Sequence, residues 1–281
     1  MSTSGSVGIM ESKIQVNDGT KLFYRVWKSE DEKDLIIGVH GYAEHSGRYH
    51  HVGEFLARNG YSLYMMDLRG HGRSGGISGY IRNFWQFVDD LDFFVDFIRE
   101  STSIDKVFML GHSMGGLISI LYALDHGDKL KSLIVSGPAL GTSVKVSVVQ
   151  RILLSIISRI KPKYQVPITI NPNELTHDST IADEYSRDPL VFKKGTIRLL
   201  MEMLKAMNFA QQNAQKLRVP ILILHGGDDK IVPPESSEIF FNNLEIERKK
   251  RVVYPGFYHE ILNEIGKEKV LEEILDWLNS F

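Results

Sequence analysis

Val107-Phe108-Met109-Leu110-Gly111-His112-Ser113-Met114-Gly115-Gly116 decides how the rest of this chain is read. An apolar run of strand type leads into Gly-x-Ser-x-Gly, and a second apolar run of helix length, residues 117–124, follows at once. A serine on a tight strand-to-helix turn is pushed out of the sheet with its hydroxyl exposed. The flanking glycines, here Gly111 and Gly115, are needed because the turn brings backbones too close for a Cβ. At ordinary Gly and Ser usage the bare pattern would arise by chance in a chain this long roughly one time in ten. Its place between strand and helix makes Ser113 a candidate nucleophile. The rest of the chain must then supply a base, an orienting acid and an oxyanion hole.

Working outward, residues 35–40 form a short, continuously apolar strand of the kind buried on both faces of a parallel sheet. Residues 49–59 read as a helix closed by Gly60, and 61–67 as a strand ending in the glycine-rich turn Asp67-Leu68-Arg69-Gly70-His71-Gly72-Arg73-Ser74. Phe87, Val88, Leu91, Phe94, Val95 and Ile98 recur at helical spacing, so 85–100 is an amphipathic crossover helix. At the start, residues 14–16 and 22–27 flank Asn17-Asp18-Gly19-Thr20 as a hairpin, preceded by a frayed lead-in over 1–12. Residues 133–135 are one more buried strand, and there the strand–helix rhythm stops.

From about 141 to 216 no parallel-strand run appears. An apolar helix over 144–160, a connector punctuated by Pro162, Pro167 and Pro172, and helical segments around Ile181 and over 196–207 fill the gap. Strands at 221–224 and 251–254 and helices at 235–243 and 267–281 then restore the rhythm. The pattern predicts an α/β core over residues 1–141 and 214–281, with a mostly parallel central sheet flanked by helices. A helical cap over 142–213, inserted after the sixth strand, would lie over the carboxyl edge of the sheet, where α/β folds bind ligands.

A hydrophobic content of 43% and charged content of 24% are those of an ordinary globular protein. A net charge of −2 offers no basic face for nucleic acid. With no cysteine there are no disulfides, thiolate metal sites or cysteine nucleophile. Residues 1–10 lack the basic start and apolar core of a signal peptide, and no apolar run is long enough to span a bilayer. The expectation is a cytoplasmic protein, and composition leaves its oligomeric state open.

Serine needs a neighbouring base, usually histidine. Of ten histidines, His40, His71 and His225 sit beside glycine at strand ends, where an imidazole most simply satisfies loop backbone. His112 adjoins the serine but points elsewhere at a sharp turn. His45, His50, His51, His126 and His177 have no partner signature. His259 follows the last strand across Pro255-Gly256, on a loop at the same sheet edge as Ser113, and is the preferred base. Asp228 and Asp229 follow strand 221–224 through His225-Gly226-Gly227. Either can orient the imidazole, in the order Ser, Asp, His expected of a nucleophile-elbow hydrolase, and the other would cap the loop. The Met114 N–H and, on the loop after strand 35–39, the Tyr42 N–H are the natural oxyanion donors. No metal or cofactor is required, and no His-Glu-x-x-His spacing is present.

The whole chain resembles the monoacylglycerol lipase and lysophospholipase branch of the serine α/β-hydrolases. The likeness is strongest in His40-Gly41-Tyr42-Ala43-Glu44-His45-Ser46-Gly47-Arg48-Tyr49, with further matches at 67–74, 111–116 and Tyr258-His259. The family's His-Gly-x-x-Asp-x-x-Val segment falls on 225–232, which selects Asp229 over Asp228. By the same resemblance Tyr42 and Met114 supply the oxyanion N–H groups, and Glu44 and Arg48 shape the alcohol-binding end of the pocket. Where some members carry a second histidine three residues after the catalytic one, this chain has Leu262.

Within the cap, Ile152, Leu153, Leu154, Ile156, Ile157 and Ile160 cover much of the 144–160 helix, interrupted by Lys145, Arg151 and Arg159. It either packs on the core or lines an acyl tunnel while touching a membrane surface transiently, which would make the protein peripheral. Met201, Met203 and Met207 on a later cap helix suit a site accommodating varied chains, or plain core. The expected substrate is a lipid-like ester of a long acyl chain and a small alcohol, such as a monoacylglycerol or lysophospholipid. A short-chain carboxylesterase, an acyltransferase and a ligand receptor on the same fold are the alternatives. Epoxide opening is disfavoured, because it places aspartate where this chain has Ser113.

Overall fold

The computed structural model describes residues 7–143, 147–168 and 170–281, without the side chains of Val148 and Arg151. The chain opens with an antiparallel pair, β1 (Gly8–Gln15) and β2 (Lys21–Lys28), around the expected turn, where Gly19 has φ 84°. Next come β3 (Asp34–Val39), a 3-10 turn (Ser46–Tyr49), α1 (His50–Arg58), β4 (Tyr61–Met66) and α2 (Trp85–Thr102). The central unit is β5 (Val107–His112), α3 (Met114–His126) and β6 (Leu130–Ser136). There follow α4 (Val148–Ile160), β7 (Gln165–Pro167), α5 (Ser179–Arg187), β8 (Lys194–Thr196) and α6 (Ile197–Gln212). The chain closes with β9 (Ile221–Gly226), α7 (Pro234–Asn242), β10 (Lys249–Tyr254) and α8 (Glu268–Asn279).

Eight strands make one sheet in the order β1-β2-β4-β3-β5-β6-β9-β10. It is antiparallel from β1 to β4 and parallel beyond. Strands β4, β5 and β9 are buried at every residue, which is why they read as continuous apolar runs rather than alternating ones. Each face has its own core. Phe87, Leu91 and Phe94 of α2 with Leu117 and Leu121 of α3 seal one side. Val52 and Leu56 of α1 with Val270, Ile274 and Leu278 of α8 seal the other. Truncating one such side chain to alanine typically costs about 2–5 kcal/mol.

Strand β3 has β4 on one side and β5 on the other, so chain order reverses between β3 and β5. Loops leaving their carboxyl ends diverge there and open a crevice. Tyr42 lies on one of these loops and Ser113 on the other.

Two expectations need correction. Residues 8–12 belong to β1 rather than to a frayed lead-in. This is an edge strand in which only Ile14 is buried, so it carries no hydrophobic alternation. The backbone ladder to β2 and the ion pairs of Glu11 with Arg25 and Arg73 hold it instead. The 142–213 segment is also not all-helical, because β7 and β8 pair antiparallel. Three-residue strands containing Pro167 and Gly195 are too short to show a period. The expected helix start at Val144, with Lys145, lies outside the described residues, as does the Arg151 side chain. From Val148 onward α4 is capped by a reciprocal Ser147–Gln150 box. Helix α6 reaches into the main core, where Leu199, Ala206 and Ala210 are fully buried.

Candidate active site

Ser113 sits at the junction of β5 and α3 with φ 53° and ψ −118°, a backbone state that costs a non-glycine residue on the order of 1–3 kcal/mol. The surroundings impose it. Ser113 N–H donates to Ser136 O at 2.9 Å, and Ser113 O accepts from Leu117 N–H at 3.1 Å and Ala139 N–H at 2.9 Å. A Cβ on Gly115 would overlap the carbonyl oxygens of Val39 and His40, and one on Gly111 would overlap Ser119 and Gly115. Glycine is required at both.

His259 Nε2 lies 2.8 Å from Ser113 Oγ, and His259 Nδ1 lies 2.6 Å from Asp229 Oδ2. The loop after β10 reaches this position by folding across the ends of β9 and β6, where it packs against Gly226 and Gly137. Both His259 and Asp229 are buried. Burial penalises the His259 imidazolium, but the Asp229 charge and hydrogen bond outweigh it, so its pKa lies above the usual histidine value. Burial likewise opposes ionisation of Asp229. The His259 charge and hydrogen bonds from His225, His259 and the Val232 N–H prevail, holding the carboxyl well below the usual range.

Asp229 also performs the capping expected of its neighbour. Its Oδ1 accepts from the N–H groups of Ile231 at 2.8 Å and Val232 at 2.9 Å, while Asp228 is exposed. His225 does more than satisfy loop backbone: its Nε2 faces Asp229 Oδ2 at 3.2 Å and Val232 O at 3.1 Å. His112 Nδ1 lies 3.0 Å from Ser136 O, and its ring stands 5.0 Å from that of His259.

Tyr42 and Met114 line the same cavity as Ser113. A methyl group on Gly41 would stand 2.8 Å from Glu44 Oε1 and 3.2 Å from Ser113 Cβ. Glu44 Oε1 accepts from Gly41 N–H at 2.6 Å and Tyr49 O–H at 2.8 Å, which pins the loop that carries Tyr42. Arg48 bridges Glu44 Oε2 at 2.8 Å and both oxygens of Glu260 at 2.6 and 2.7 Å. Asn263 Nδ2 adds a bond to Glu260 at 2.8 Å. Glu264 accepts from the N–H groups of Tyr258 at 2.9 Å and His177 at 3.0 Å, fastening the His259 loop to the 142–213 segment. Glu260 and His225 were not singled out from sequence. Adjacency to His259 was the one available signal for Glu260, and His225, read as satisfying loop backbone, had its place at the head of the 225–232 segment.

These groups open onto a cavity of about 370 Å³, within the range of small-molecule sites. Met201, Met203 and Met207 of α6 line it, together with Leu154 of α4, Leu200, Leu204 and Ile168. Its wall is mainly apolar, and Ser113, Glu44, His259 and Glu260 form one polar cluster on it, Ser113 bonded to His259 and Glu44 joined to Glu260 through Arg48. Leu262, at the position of the second histidine in some relatives, is buried and gives only its carbonyl, to His51 Nε2 at 2.7 Å.

The Hydrolase_4 family, described as serine aminopeptidase, S33, matches residues 30–266. The chain is 32% identical over 267 residues to the monoacylglycerol lipase of Mycolicibacterium smegmatis, covering 93% of this chain and 94% of that protein. It is 31% identical over 248 residues to phospholipase YtpA of Bacillus subtilis, covering 88% and 95% respectively. The crystal structure of Paleococcus ferrophilus monoacylglycerol lipase matches with a TM-score of 0.85 at 31% identity, over 92% of this chain and 98% of that one.

Proposed function

The chain belongs to the Hydrolase_4 family as a monoacylglycerol lipase-like α/β-hydrolase that cleaves carboxylic esters, and we propose that its substrate joins one long acyl chain to a small alcohol, most simply a monoacylglycerol. The observation that carries this reading is the Ser113–His259–Asp229 hydrogen-bond chain at the polar end of an apolar cavity. Ser113 Oγ attacks the ester carbonyl as His259 Nε2 takes its proton. Asp229 holds the imidazole in the Nδ1–H tautomer and stabilises it once charged. The Tyr42 and Met114 N–H groups receive the oxyanion, and their rigid placement lets them act without reorganising. Collapse of the tetrahedral intermediate expels the alcohol, which takes the proton from His259. Water, activated by the same histidine, then releases the fatty acid from the acyl-enzyme.

In this reading residues 142–213 act as a cap that closes the acyl cavity from above. Two features support it: Leu154, Leu200 and Met201 line the cavity, and α4 turns a second, exposed apolar face outward. That face would meet a membrane surface transiently, and among the described residues no helix is long and apolar enough to cross a membrane. Ser113→Ala should lower kcat for p-nitrophenyl esters by about 10⁴-fold or more while leaving the thermal unfolding midpoint close to wild type. A variant that keeps its activity would end the assignment. A preference for acetyl over dodecanoyl esters would replace the lipase reading with a short-chain esterase.

A further inference from the structure

Arg48 is absent from the cavity wall, whereas its two acidic partners are on it. Glu44 and Glu260 line the cavity, and no lysine or arginine does so among the described residues. The Arg48 guanidinium stands behind them, gripped by three oxygens and lying 4.8 Å over the Tyr185 ring. The side chains of Arg48, Glu44 and Glu260 are 9%, 4% and 5% exposed, so solvent screens none of them well. Two carboxylates against one guanidinium leave an excess negative charge at the polar end. Nearby groups do not cancel it, because any charge on His259 is matched by Asp229 at 2.6 Å. Burial drives the His112 pKa down to about 4, so that ring is neutral. Lys193, bonded to Tyr185 O at 3.1 Å, is exposed to solvent and off the wall.

We propose that Glu260 makes the polar end of this pocket a charge filter, admitting esters whose alcohol is neutral or cationic and rejecting those that carry a phosphate, sulfonate or carboxylate. The inference rests on the ester-hydrolase reading above and narrows its substrate class. An arginine with a free fork is a ready receptor for phosphate. Glu260 occupies that fork from the cavity side, so an incoming anion meets carboxylate oxygens first. A bidentate pair with a third carboxylate contact is also rigid, and it cannot swing Arg48 into the cavity without leaving Glu260 buried and unpaired. Monoacylglycerol passes such a filter, and its hydroxyls can donate to the glutamate oxygens. A lysophospholipid with its phosphate beside the ester is excluded.

The test is a charge series of nearly equal shape: the hexanoyl esters of choline, of 3,3-dimethylbutanol and of isethionate, with positive, neutral and negative alcohols. At about 0.15 M salt, kcat/KM should fall in that order, by about tenfold or more from the first to the last. Glu260→Gln preserves size and most hydrogen bonds while removing the excess charge. It should raise the isethionate-to-dimethylbutyl ratio by about fivefold or more. If that variant does not fold, the wild-type series decides alone. Rates within about twofold across the three esters, or a reversed order, overturn the filter and leave ester hydrolysis standing. No hydrolysis of the neutral ester overturns the ester-hydrolase reading and the filter with it.

Discussion

At the residue scale, the proposed chemistry depends on how one carboxylate tunes one imidazole. Burial alone would push the His259 pKa down, and it is the charge and hydrogen bond of Asp229, with smaller help from Glu260 and Glu44, that reverse the sign. A base must be neutral to accept a proton, so the acid limb of kcat/KM should lie above the usual histidine value of about 6.5. Asp229→Asn removes the largest favourable contribution and lets burial prevail, which moves the limb to lower pH. The amide can still accept the Ile231 and Val232 N–H bonds through its oxygen, so the loop should keep its shape. Facing His259, it holds the wrong tautomer, and kcat should drop by roughly 10⁴-fold. An acid limb that stays in place in the residual activity of this variant would mean that Asp229 does not set the base.

At the scale of elements, helix α4 divides its apolar residues between two tasks. Leu154 lines the cavity, while Val149, Ile152, Leu153, Ile156 and Ile160 stand 76%, 57%, 56%, 49% and 73% exposed. Their spacing of three and four places them on one stripe. A contiguous exposed stripe of this kind marks an interaction surface, and a lipid surface suits an enzyme fed with acyl esters. Replacing Ile152, Ile156 and Ile160 together by glutamine should cut co-sedimentation with neutral lipid vesicles by about fivefold or more. Turnover of soluble p-nitrophenyl butyrate should stay within about twofold, because none of the three lines the cavity. Undiminished vesicle binding would refute the contact.

What was legible at this scale followed burial. The inner parallel strands read clearly because both faces are covered, and Ser113 and the Asp228–Asp229 pair could be placed because they follow such strands, the resemblance then choosing Asp229. His259 follows the half-buried edge strand β10 and was placed by its Pro255-Gly256 turn. Strand β1 was illegible because an exposed edge has no apolar pattern. The β7–β8 pair was hidden by its length. The Arg48–Glu260 pair spans 212 residues, and nothing local in the chain records a contact made only when the β10 loop folds back over the sheet. Spacing could put His225 near Asp229, but not reveal that it faces the same carboxylate oxygen as His259.

At the scale of the whole molecule, buried and half-buried histidines set how stability responds to pH. Burial lowers the pKa values of His40 and His51, drives His71 down to about 3 and His112 down to about 4. His40 and His71 also face each other at 5.4 Å, and His112 faces His259 at 5.0 Å, so charging one ring is felt by its neighbour. In the unfolded chain each titrates near 6.5. Below that value the unfolded state binds protons that these four rings refuse in the folded state, so stability is lost as pH falls from about 6.5 toward the folded values. The limiting slope is about 1.4 kcal/mol per pH unit for each ring. His259 has the opposite sign. Its folded pKa is raised, so its contribution is complete below about 6.5 and fades as pH rises through the folded value. Four rings against one make the acid side the steep side. The thermal midpoint should therefore peak near neutrality and fall sharply between about pH 6 and 4.5, before most carboxylates titrate. His112→Gln should flatten that decline by about one proton's worth of slope, because an amide can keep the bond to Ser136 O without a charge to refuse. A midpoint that holds level from pH 6.5 to 4.5, measured by circular dichroism at constant ionic strength, would show that these imidazoles are not held neutral in the folded protein.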